Sequence, residues 1–518
     1  MKRTLLVFLL VNLVLSACAP ASAPTSTLAP SVTPLSTATA MPTLITTSTP
    51  QPSSTPESTK IPTNTASPAP TALPTYDEKV VGFAGVAKIE SKSEWKSIAD
   101  SAINQYAKAF GIQPETVKLD IKGFEDKQYA LALTQDGIPL LIWKKGENGE
   151  WKWMQNNWLL SASIVNFPIG VEIDPGHPNN REQGYRNFVI NNANVINISG
   201  GLSHQWLSYG RAYVPEIVRQ YKERNPNTPL TIHVNHLFYH HDTFPPELSD
   251  QSKPLAERQQ LARSYMRERV REVLKIIVPI IEQYPNTKIM ANLGNEVFWE
   301  YQGNVGWEGE YSDYPLYDLL GKDWLPEAYV AFEEVIKEYQ IPRDKVTLLL
   351  NDWGIELPGK KSDYYFSQKK WVVAQIAKRL GISPKEVQLA TGIQFGYDIK
   401  GRPENDYAVI YTRKILKLLE TEDGRQELVN HLNSLEGGFF VTELVTDDPE
   451  TMNKVLEVLE RVNKDQIKGV IFWSALVRPN SGEIHYAGNT VVDKKTYAPL
   501  SSYYEVLKFL VSRLPGTN

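Results

Sequence analysis

The chain of 518 residues sets 54 Lys and Arg against 59 Asp and Glu, a formal net charge of −5, with the two signs interspersed and no basic run. That excludes the electrostatic footprint of a nucleic-acid binder. A single cysteine, Cys18, excludes an internal disulfide and a thiolate metal cluster, and 12 Trp with 25 Tyr mark a folded body rich in aromatic rings.

The first 17 residues read as a lipoprotein signal peptide: Lys2 and Arg3 precede an apolar run from Leu5 to Leu15, and Leu15-Ser16-Ala17-Cys18 forms a lipoprotein cleavage box. The run, about 11 residues, falls short of the roughly 20 that a spanning helix needs. An ordinary signal peptide is the alternative; the lone cysteine at the lipid-carrying position favours a protein held outside the cytoplasm by a lipid on Cys18. Residues 18–75 follow as a linker, with Ser, Thr or Pro at 36 of the 57 positions from 19 to 75 and charges only at Glu57 and Lys60. Such a segment has too little apolar surface to offset its ordering entropy and predicts a disordered stalk.

Residues 76–160 predict a small α+β domain whose role the sequence leaves open. A helix runs from Ser93 to Phe110, closed by Gly111 and Pro114, and strands are expected at VKLDIKGF, QYALALTQ and PLLIWKKG. Trp143, Trp151, Trp153 and Trp158 suit either a carbohydrate platform or a seam docking this unit on its neighbour, and the seam is favoured. From 165 to 518 short β-rich runs alternate with long amphipathic helices. The eight runs are PIGVEI, FVINNANVINI, PLTIHVNHLF, KIMANLG, KVTLLLND, VQLATGIQ, GFFVTEL and KGVIFWS. Strands spaced by helices imply parallel crossovers, so the expected fold class is α/β, a (β/α)8 TIM barrel with its chemistry at the C-terminal strand ends.

Strand four ends in NLGNEVFWE and strand seven in FFVTELV, placing Asn295-Glu296 and Glu443 at one barrel mouth. Paired carboxylates there are what glycoside hydrolysis requires, one to protonate the leaving oxygen and one to attack or stabilise the anomeric carbon. Trp473 closes strand eight. From about 165 onward the chain resembles glycoside hydrolase family 10, the endo-β-1,4-xylanases. The motifs are Asn295-Glu296 after strand four, Asn351-Asp352-Trp353 after strand five, Gly392-Ile393 opening strand six, Thr442-Glu443-Leu444 on strand seven and Trp473. The resemblance implies a retaining hydrolase cutting internal β-1,4 linkages of a polysaccharide such as xylan, with Glu296 as acid/base and Glu443 as nucleophile. It implies no cofactor, and a monomer is expected. Burial and the charge of Glu443 are expected to keep Glu296 protonated before attack. Asn295, Asn351, Trp353 and Trp473 would touch the sugar, and Trp299 is a further candidate ring.

HVNHLFYHHD, residues 233–242, holds four of the eight histidines. A metal site, satisfied core histidines and a cleft wall are the readings. The resemblance favours the wall, with His236 and His241 at the family's spacing and His240 where the relatives carry Trp; no metal is expected. On a strand, His236 and His240 would share one face. Two departures from the family stand out. In NNANVINISGGLSHQW only Asn194 offers a counterpart for the strand-two sugar-gripping segment, and on strand six the His beside the nucleophile becomes Asp398, a carboxylate for which His240 or His241 would supply a compensating cation. The aromatic loop from 297 to 324 either extends the cleft or packs on itself. The alternatives for function are a retaining glycosidase or transglycosylase on another β-glycan, and a surface glycan-binding lipoprotein with little turnover.

Overall fold

A computed structural model describes residues 75–76, 92–124, 128–149, 151–154, 156–173, 183–199, 207–301, 303–395, 407–446, 449–473, 491–492 and 498–514. The signal segment, Cys18, the linker up to residue 74 and Asp398 lie outside them, so the readings placed there stand as sequence expectations.

The first elements are β1 (Thr75–Tyr76), α1 (Lys92–Phe110), β2 (Leu119–Phe124), β3 (Tyr129–Thr134), β4 (Pro139–Lys145) and β5 (Trp151–Met154), the strands forming one antiparallel sheet in chain order. Gly111, at φ +65°, ends α1 in the left-handed conformation that glycine adopts without strain. Strand β3 is buried on both faces. Ala130 and Ala132 join the core that includes Ala99 and Ile103 of α1, whereas Leu131, Leu133 and Ile142 turn the other way and pack with Ile164, Val511 and Leu514.

The remainder alternates: α2 (Trp158–Val165), β6 (Ile169–Glu172), α3 (Gln183–Asn192), β7 (Val195–Ser199), α4 (Leu207–Arg224), β8 (Leu230–Asn235), α5 (Leu255–Gln283) and β9 (Thr287–Asn295). A hairpin of β10 (Phe298–Tyr301) and β11 (Asn304–Trp307) then leads through α6 (Pro315–Leu320) and α7 (Trp324–Glu338) to β12 (Val346–Trp353). After α8 (Lys360–Leu380) come β13 (Leu389–Phe395), α9 (Tyr407–Glu420), α10 (Glu422–Ser434), β14 (Phe439–Leu444), α11 (Pro449–Arg461), β15 (Ile467–Phe472) and α12 (Ser501–Val511). Eight parallel strands, β6-β7-β8-β9-β12-β13-β14-β15, close into a barrel through pairing of β15 with β6. This is the (β/α)8 architecture that the alternation of short apolar runs and amphipathic helices predicts.

Trp158 is fully buried, stacked 5.2 Å from Tyr503 and tilted against Phe472 at 5.0 Å, with its indole N–H donated to the Tyr503 carbonyl at 3.0 Å. Trp143 is also buried, so these two rings are packing groups, not platforms.

Two strand expectations change. FVIN of FVINNANVINI lies in α3, where Phe188, Val189 and Ile190 are buried, and only Val195–Ser199 is strand. β-branched residues favour strands only weakly, and tertiary packing overrides them. In PLTIHVNHLF the strand stops at Asn235, and His236 to Asp242 form the loop beyond it.

Candidate active site

The mouth of the barrel is built from the ends of β8, β9, β12, β13 and β14. Parallel strands point their last side chains at the same opening, and local register shifts re-aim them. One such shift lies between Ile393 and Gln394 of β13 and sets Gln394 opposite Glu443 of β14. Glu296, just past β9, has φ +53°, a left-handed conformation uncommon for a side-chain-bearing residue. Strain of that kind persists where the surrounding structure over-determines it.

Each carboxylate is held by donors from neighbouring strands. Glu296 accepts from the Tyr239 hydroxyl at Oε2, 3.0 Å, and from the Gln394 amide at Oε1, 3.2 Å. Glu443 Oε1 accepts from Asn235 Nδ2 at 3.0 Å and from Asn351 Nδ2 at 3.2 Å. The Gln394 side chain hydrogen-bonds Glu443 as well, so one amide serves both acids.

Behind these contacts runs a buried amide network. His233 lies 3.0 Å from Asn292 Oδ1, Asn292 Nδ2 donates to Asn235 Oδ1 at 2.6 Å, and Asn235 reaches Glu443. Asn351 Nδ2 also donates to Asn295 Oδ1 at 2.5 Å, and the Thr442 hydroxyl contacts Asn351 Oδ1. Gly392 makes this possible: a Cβ there would meet Asn351 Oδ1 at 2.7 Å and Thr442 Cγ2 at 2.9 Å.

Burial and the nearby Glu296 push the Glu443 carboxyl up to about 8, against Asn235, Asn351 and Gln394, which favour its anion.

Several anticipated sugar contacts take other roles. Asn351 has no exposed surface and positions Glu443, Asn295 and Thr442. Trp353 is 7% exposed, with the Lys361 ammonium 3.6 Å from its ring centroid and Tyr411 against its edge, so it offers no open stacking face. Asp352 lies beneath it, pushed up to about 6 by burial although Lys361 stands 3.0 Å away, and accepts from the Phe298 and Trp353 backbone amides. Asn194 caps the opposite end of the barrel, bonded to Ile169 N and Phe167 O before β7 begins, and cannot stand in for the strand-two sugar contact.

The histidine stretch divides. His233 is buried in the barrel. His236 pairs with Asp242 at 3.2 Å, and the buried Arg269 of α5 donates to the His236 and Leu237 carbonyls. His240 is turned inward, its side chain 4% exposed, beside Glu308. Burial, with His241 and His236 alongside, pushes it down to about 3, so it is neutral and cannot supply the cation expected for Asp398. His241 is exposed and Trp473 half-buried at the end of β15. Among the described residues no three His, Cys, Asp or Glu side chains come together as a metal site. Trp307, Tyr314 and Trp324 of the aromatic loop pack inward, whereas Tyr301 and Tyr311 are exposed.

Sequence reasoning missed Asn235, Tyr239 and Gln394. For Tyr239 and Asn235 a signal existed, since both lie within HVNHLFYHHD; Gln394 reaches the mouth through the register shift in β13.

No protein-family model and no curated protein matches this chain. Solved structures do resemble it: an endo-1,4-beta-xylanase of Penicillium canescens at 15% identity and TM-score 0.47, covering 69% of this chain and 98% of that one. Xylanase 10B of Thermotoga maritima follows at 16% and 0.46, covering 68% and 98%, and an endo-1,4-beta-xylanase of Caldicellulosiruptor owensensis at 14% and 0.45, covering 68% and 99%. At such identities the likeness concerns chain path, and the chemistry rests on this chain's own residues.

Proposed function

We propose that the chain is a glycoside hydrolase, a divergent member of family 10, that cleaves internal β-1,4 linkages of a plant-type polysaccharide such as xylan with retention of configuration. The observation that carries this reading is the meeting of Glu296 and Glu443 at one barrel mouth, with the Gln394 side chain bonded to Glu296 and facing Glu443. Glu443 attacks the anomeric carbon while Glu296 gives its proton to the leaving oxygen; Glu296 then takes a proton from water as the ester is hydrolysed. Asn235, Asn351 and Gln394 donate to Glu443, so they favour it as the anion at the moment of attack. Incubation with a panel of β-glycans, with reducing ends counted and the first-formed anomer read by NMR, tests it; an inverted product or no product on any glycan overturns it.

Glu443 must be an anion to attack, and with its carboxyl pushed up to about 8, kcat/KM should rise as pH climbs through about 8. A pH–rate profile checks this. A surface glycan binder with little turnover is the second reading, favoured by the same upward shift, because a protonated Glu443 is no nucleophile at neutral pH.

The anchoring through Cys18 belongs to the proposal as well, motivated by the Leu15-Ser16-Ala17-Cys18 box. Cys18→Ser should move the protein from the membrane to the soluble fraction, and an unchanged distribution would refute the anchor.

A further inference from the structure

Two titratable side chains near Glu296 are not used by the mechanism above. Glu308, following β11, is 2% exposed, and neither of its carboxylate oxygens has a protein hydrogen-bond partner. His240 Nδ1 stands 4.0 Å from Glu308 Oε1, and neither ring nitrogen of His240 has a hydrogen-bond partner. Rings close the pair in: His241 at 3.8 Å, Tyr239 at 4.4 Å and the edge of Trp299 at 5.3 Å from His240. Tyr239 is the link to chemistry, because its hydroxyl donates to Glu296 Oε2.

A buried imidazolium–carboxylate pair is tolerated when further hydrogen bonds satisfy both ions. Here they do not. The other groups facing Glu308 are the acids Glu296 and Asp318 and the phenol of Tyr314; those facing His240 are His241, His236 and Asp242. Among the described residues that face it, Glu308 therefore meets negative charge on two sides and no cation other than His240 could become. We infer that Glu308 is a neutral carboxylic acid packed 4.0 Å from a neutral His240. The pair is a positioning device: it holds Tyr239 against Glu296 and keeps a third negative charge away from the acid/base. Burial, reinforced by Asp318 and Glu296, pushes Glu308 up to about 8 and accords with this state, as does the low value of His240.

The positioning role rests on the proposed hydrolase activity, but the neutral state does not, and two readouts separate them. The first is the thermal unfolding midpoint of the full chain against pH. A carboxyl whose folded value lies near 8, above an ordinary 4.5, costs stability increasingly as pH rises across that window. Glu308→Gln has no such cost, so its midpoint should exceed the wild type's by an amount that grows from pH 5 to 8, reaching about 2 °C or more. A midpoint below the wild type's across this range would mean an ion pair and overturn the inference.

The second readout is hydrolysis. Glu308→Ala should lower kcat about tenfold as the wall behind Tyr239 loosens, and Glu308→Gln should recover most of that loss. Equal loss in both variants would overturn the positioning role. If no glycan is cleaved by the wild type, the proposed function fails, and the midpoint series still decides the state of Glu308.

Discussion

Glu443→Gln should lower kcat on a cleavable β-glycan by about four orders of magnitude or more, the scale on which loss of a covalent nucleophile is felt. Gln is close to Glu in shape, and its amide oxygen can still accept from Asn235 and Asn351, so the network that holds position 443 survives. The same substitution removes a buried carboxyl held near 8. That group costs stability between its ordinary value of 4.5 and about 8, and the variant should therefore melt higher than the wild type at pH 8 while losing turnover. Reducing-end assays and melting curves measure the two effects, and binding of unhydrolysed oligosaccharide by the variant would show the cleft intact. Activity within tenfold of the wild type would remove Glu443 from the nucleophile's role.

Lys361→Met should destabilise the barrel by about 3–5 kcal/mol at neutral pH, the cost of removing one partner from a buried ion pair. Lys361 and Asp352 are 3% and 0% exposed, with 3.0 Å between ammonium and carboxylate. Asp352 also accepts from Phe298 N at 2.9 Å and Trp353 N at 2.9 Å, so it ties the β10 hairpin to the end of β12. Without Lys361 the carboxyl can evade burial as an ion only by taking up a proton. Already raised to about 6 from 3.8, its value would climb further, because Lys361 is the main group lowering it. Since a raised carboxyl costs stability only above its ordinary value, the deficit should be small at pH 4 and grow as pH rises past 6. Denaturant unfolding at both pH values checks this, and a pH-independent deficit would contradict the ion-pair account.

The anonymity of the donors explains what could be read in advance. Glu296 and Glu443 were visible because each ends an apolar strand run with an ionisable group, a pattern that composition alone makes unusual. Trp353 was legible as an aromatic ring at a strand end, yet its burial under Lys361 depends on α8 folding back across β12, a contact between residues close in sequence but turned together only by the helix start. His240 read as a cleft residue by its place in a histidine-rich stretch. The loop after β8, fixed by Arg269 and the His236–Asp242 pair, turns it inward to Glu308, 68 positions away.

The sequence by itself determined the alternation of short strands and amphipathic helices, the closed parallel barrel that follows from it, and the two strands that carry acids to the mouth. Those features depend on periodicity and burial, which neighbouring residues settle among themselves. Only the tertiary structure decided that Gln394 spans both acids, that Tyr239 and Asn235 steady one each, that Asn351 supports the site from behind, and that His240 faces Glu308. Each of these depends on register shifts and loop closure between distant segments, where a displacement of one residue turns a side chain from the mouth to the core.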